Sequence, residues 1–204
     1  MKTNKRTIKA LLSGIAFLCS LNTWSLTEIN VSNAGTLPSL MQNLTFDKDL
    51  KLTGSINGTD VKYIRELLTA GKVTELDLHD VRIVKGGEAY NESYITSDDV
   101  LGDYMFANCS KLTSCILPAN ITSIGRYAFS HSGITEVIIP NGVTRLGHAS
   151  FADCTSLTKV VIGSKVSFLE QLLGKEYRST IFKLYSKSSQ KKYWRQYHKS
   201  NTGS

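Results

Sequence analysis

The chain has 204 residues, enough for one domain or a domain with caps, and its 41% apolar content is ordinary for a soluble protein. Its formal charge of +7 is uneven: residues 1–25 carry +4, residues 26–174 hold 12 basic and 16 acidic side chains for −4, and residues 175–204 hold 8 basic and 1 acidic for +7. An acidic body behind a secretory leader argues against a nucleic-acid partner and leaves acidic glycans or a membrane surface for the basic tail.

Lys2, Lys5, Arg6 and Lys9 precede an apolar run from Ala10 to Leu21, and small residues follow at Thr23 and Ser25. That is the pattern of a secretory signal peptide over residues 1–25, cut before Leu26. The run is too short to span a bilayer. Leu18 before Cys19 departs from a lipobox, so ordinary cleavage is expected, with the mature protein in the periplasm, on the cell surface or outside the cell.

Residues 26–72 read as a lead-in and capping helix. Ile29 and Val31, then Leu37, Leu40, Met41 and Leu44, then Leu50 and Leu52 around Lys51 suggest irregular chain with some strand. Asn57-Gly58 reads as a turn, and Thr59 or Asp60 as the N-cap of a helix with Val61, Ile64, Leu67 and Leu68 on one face. That apolar face is expected to hide the open end of the structure that follows.

Residues 73–170 repeat. Phe106, Phe129 and Phe151 recur at intervals of 23 and 22, and Leu112, Ile134 and Leu157 at 22 and 23. Leu101-Gly102, Ile124-Gly125 and Leu146-Gly147 precede the phenylalanines by equal offsets, and Pro118 and Pro140 keep step. Such spacing is the signature of a solenoid in which each repeat is one coil. Val73 to Leu78 supplies the first strand, after which residues 79–100, with Gly86-Gly87, Tyr90 and Tyr94, read as an inserted loop.

A period of two within the short strands turns Cys115, Val137 and Val160 inward with Leu117, Ile139 and Ile162, and turns Ile116, Ile138 and Val161 outward. The outward stripe, with Asp77 above it and Ser114, Glu136 and Lys159 beside it, is the candidate binding surface, because contiguous exposed apolar surface marks interfaces. The plainer reading is that β-branched residues stand there for strand propensity.

No catalytic residues, metal ligands or cofactor are expected: there is no His-Glu-x-x-His helix, nucleophile elbow or phosphate-binding glycine loop. Asp77, His79 and Asp80 read as a solvated face before an acid–base or metal site, and Asp98-Asp99 lacks the further oxygens of a calcium loop. Cys109 and Cys154 stand two coils apart, about 10 Å, too far for a disulfide. Buried free thiols are therefore expected, a Cys109–Cys115 bridge being the alternative.

Residues 171–204 read as a closing strand from Ile181 to Tyr185, then a helix with Tyr193, Trp194 and Tyr197 among Lys191, Lys192, Arg195 and Lys199. One reading of those aromatics is a stacking platform for bases or sugars; the other, a C-terminal cap, is what the resemblance named next implies.

The stretch from Ala128-Phe129 through Pro140 and Val143 to Leu146-Gly147 resembles the BspA-type leucine-rich repeats, the Treponema pallidum-type class, whose unit looks like A-F-x-x-C-x-x-L-x-x-V/I-x-I/L-P-x-x-V/I-x-x-I-G. The resemblance covers residues 73–170, with departures at Met105 for Ala, Gly163 for Pro and Glu170 for Gly. Residues 52–60 are similar to the N-terminal cap of secreted members from gut Bacteroides-like bacteria. It implies an α/β-type, right-handed repeat solenoid with a parallel strand face, an N-terminal helical cap and a C-terminal strand-helix cap. It implies a non-catalytic role in protein–protein interaction, including adhesion to host extracellular proteins. A self-associating cell-envelope role, or glycan binding through the basic aromatic tail, is the alternative.

Overall fold

The computed structural model describes residues 8–9, 26–169 and 181–184. The expected leader therefore lies outside the described residues, except for the two-residue strand β1 (Ile8–Lys9), which pairs with Thr27–Glu28. The helical part of the expected C-terminal cap also lies outside them.

From Thr27 the chain rises in coils, each returning one parallel strand to the same face. β2 (Thr27–Val31) leads through a short helix α1 (Leu37–Met41) to β3 (Asp49–Ile56), and β3 leads through α2 (Gly58–Thr69) to β4 (Glu75–Ile83). An inserted hairpin, β5 (Gly86–Asn91) and β6 (Tyr94–Thr96), precedes β7 (Val100–Leu101) and β8 (Ser114–Ile116). The later coils give β9 (Ser123–Ile124), β10 (Glu136–Ile138), β11 (Arg145–Leu146), β12 (Lys159–Ile162), β13 (Phe168–Leu169) and β14 (Ile181–Leu184). One face runs β1-β2-β3-β4-β8 and continues as β10-β12-β14, all parallel. Thr135 joins the two parts: its N–H and hydroxyl both donate to the Thr113 carbonyl, at 3.2 and 3.4 Å.

This differs from the expected lead-in. Ile29 and Val31 of β2 and Leu50, Leu52 and Ile56 of β3 alternate inward and are buried, so these strands extend the ladder two coils before β4. Helix α2 accordingly forms the outer side of the coil between β3 and β4. Its N-cap is Asn57, neither Thr59 nor Asp60: the Asn57 side chain accepts from the Thr59 N–H while Asp60, three residues on, accepts from the Asn57 N–H. The inserted residues form an antiparallel hairpin against α2, where Glu88 pairs with Lys62 and its N–H donates to the Thr59 hydroxyl.

A second parallel ladder, β7-β9-β11-β13, pairs Leu101, Ile124, Leu146 and Leu169 in register. Between the ladders Phe106, Phe129 and Phe151 are wholly buried, with ring centroids 5.5 and 5.2 Å apart. Each phenylalanine is flanked by non-glycine residues in the left-handed region, Tyr104 and Asn108, Tyr127 and His131, Ala149 and Asp153, which turn the coil around the ring. Every coil fills its neighbour's core, as a repeat that cannot bury its own apolar side requires. Arg65 ties α2 to the first phenylalanine coil, its Nη1 donating to the carbonyls of Tyr104, Met105 and Ala107 at 3.1, 2.8 and 3.2 Å.

Candidate binding face

The strand face is built from alternate side chains of short parallel strands. Its inward residues Cys115, Val137, Val160, Leu117, Ile139 and Ile162 are all buried. The pairing register sets Glu28, Lys51, Asp77 and Ile116 in one outward row, which Ile138 and Val161 continue on β10 and β12. A neighbouring row holds Asp49, Glu75 and Ser114, continued by Glu136 and Lys159. Ile116 and Ile138 are 50% and 59% exposed, an unusual position for isoleucine. The structure thus brings all seven residues singled out from the sequence onto two adjacent rows.

Charge divides this face. Toward β2–β4 it is acidic and hydrogen-bonded. Asp80 sits 2.7 Å from His79 Nδ1 and 3.2 Å from Lys51 Nζ, and Asp77 accepts the His79 N–H. The hydrogen bond from His79, then that from Lys51, holds the Asp80 carboxyl below its ordinary range, and the bond to Asp80 raises Lys51. A register shift explains why His79 and Asp80 both reach solvent: Lys51 lies opposite Asp77 but Thr53 lies opposite Asp80, so β4 carries an extra residue. Toward β12, Lys159 pairs with Glu136 at 2.8 Å beside the aliphatic row.

The sequence reading missed Glu28, Asp49, Lys51 and Glu75. Glu28 and Lys51 stand 23 residues apart, the interval between Phe106 and Phe129, so the repeat period carried back to the lead-in would have found them. It also missed a column on the other side of the coils, where Tyr94, Tyr104 and Tyr127 stack at 5.1 and 5.0 Å and His148 meets Tyr127 edge-on. Tyr94 comes from the hairpin, which the column fastens to the coils. Asp98 and Asp99 are engaged locally, with the Lys85 N–H and with Arg82 and Asn120. Tyr193, Trp194 and Tyr197 lie outside the described residues.

Cys109, Cys115 and Cys154 are buried and unbridged. Burial pushes the Cys109 thiol up to about 11, and does the same in direction to Cys115 and Cys154. Cys154 donates to the Phe129 carbonyl at 3.0 Å and sits 3.4 Å from Ser132, so it packs and bonds within the core. No helix among the described residues is long and apolar enough to cross a membrane.

Residues 92–187 match the model of the BspA type leucine rich repeat region, in six copies. Curated proteins give no match. Among solved structures, a leucine rich cell surface protein from Faecalibacterium prausnitzii is 19% identical, with 79% of this chain and 47% of that one covered and a TM-score of 0.35. A leucine-rich repeat protein from Bacteroides ovatus is 17% identical, with 72% and 42% covered and a TM-score of 0.33. The chain spans less than half the length of either.

Proposed function

Because residues 92–187 are a BspA-type leucine-rich repeat region, we propose that the chain is a non-catalytic, secreted or surface-displayed module that binds another protein through its strand face. Adhesion to host extracellular proteins is the role this reading suits. The observation that supports it most is the row of Ile116, Ile138 and Val161, held outward by the pairing register with two isoleucines half exposed or more. Aliphatic side chains gain by leaving water, about 25 cal/mol per Å² of area covered, and a rigid parallel ladder presents them at no cost in reordering.

The test is binding to a panel of immobilised host extracellular proteins, with wild type beside Ile138→Asp. Ile138 points away from the core, so the variant keeps its fold by circular dichroism. The reading expects at least one protein to bind wild type and to lose about tenfold or more with Ile138→Asp, the scale of a central interface contact. A captured protein indifferent to Ile138→Asp would place the contact elsewhere on the chain.

A further inference from the structure

We propose that the strand face takes a protein segment that is cationic at one end and aliphatic at the other, lying across the strands. Its Lys or Arg side chains meet Asp49, Glu75 and Asp77, and its aliphatic side chains meet Ile116, Ile138 and Val161. This rests on the reading that the face binds protein, and adds the chemistry and direction of the partner.

Asp49 and Glu75 are register partners on adjacent parallel strands, about 4.8 Å apart, and like charges so placed destabilise a sheet. Neither has a cation within ion-pairing distance among the described residues, whereas Lys51 is engaged by Asp80 and Lys159 by Glu136. A partner's cation over β3 and β4 relieves that repulsion. Asp77 then lies in register with Ile116, so the acidic half adjoins the aliphatic half along one row. From β3 to β12 the face spans four strand steps, about 19 Å, which matches roughly 13 residues of helix or six of extended chain. An acidic segment would meet unneutralised carboxylates, and a neutral sugar chain would leave both the carboxylates and the isoleucines unmatched.

The experiment titrates two synthetic peptides of equal length and identical aliphatic half into the full chain, isoleucine methyl groups being observed by NMR. One peptide begins with three lysines and the other with three glutamates. The lysine peptide is expected to shift the Ile116 and Ile138 methyl signals and to bind about tenfold more tightly than the glutamate peptide. Glu75→Lys combined with Asp49→Asn should abolish that preference, and high salt should shrink it. Equal affinity for both peptides at those methyls would overturn the charge proposal and leave the binding reading standing. Failure of both peptides to shift those methyls would overturn this proposal, while the binding reading would still stand or fall on the panel of host extracellular proteins.

Discussion

Asp60 pins the first coils together. Its buried carboxylate accepts the N–H groups of Gly35, Leu37 and Asn57, joining the start of α1 to the start of α2. Asp60→Ala leaves three donors unmatched and is expected to cost about 3 kcal/mol in urea unfolding, with Asp60→Asn costing less. The sequence showed Asp60 as a candidate cap but not as a tie, because its Gly35 and Leu37 partners come from a segment with no helix signal beyond its apolar residues. The thiols were legible, since coil spacing alone separates Cys109 from Cys154. With burial holding Cys109 up at about 11 against an ordinary 9.0, its contribution to stability is complete below 9 and is lost as pH rises toward 11. Cys109, Cys115 and Cys154 should resist alkylation at neutral pH in the native protein and react in guanidinium, as mapped by mass spectrometry.

Among the elements, the phenylalanine column was the most legible, because identical residues at 22 and 23 residue intervals leave one way to stack. Phe129 lies between Phe106 and Phe151, so Phe129→Ala strips both neighbouring coils of a core contact and should cost about 3–5 kcal/mol by denaturant melts. The second ladder was half legible: its Leu-Gly and Ile-Gly pairs were visible, but two-residue strands carry no period of their own. β2 and β3 were legible as strand at Ile29, Val31, Leu50 and Leu52 but not as coils of the ladder, because their coils lack the phenylalanine and proline markers and close with helices. The hairpin was hidden because its place depends on tertiary fit: an added Cβ at Gly58 would meet the Glu88 carbonyl, so the sequence shows a glycine and not the strand that approaches it. Arg65 belongs here too. Arg65→Ala removes three carbonyl contacts between α2 and the first phenylalanine coil and should destabilise by about 1–3 kcal/mol, with Arg65→Lys recovering part.

For the whole molecule, the outward rows are what the coils leave to solvent. The alternation that buries Val137 and Val160 fixes Ile138 and Val161 on the other side of the sheet, so this part of the candidate face could be read from the sequence. Its acidic half could not, since it depends on β2 and β3 joining the ladder. A stable protein interface covers about 800 Å² on each partner, some 20–30 residues, so a row of three aliphatic side chains can only be the centre of a wider contact, which on the proposed reading is made with a different protein. Sedimentation equilibrium of the full chain at micromolar concentration, wild type beside Ile138→Asp, tests this most directly. The prediction is a monomer of 22.5 kDa in both cases, with circular dichroism unchanged. A wild-type dimer that Ile138→Asp converts to a folded monomer would contradict it, and would make the strand face a contact between copies of this chain.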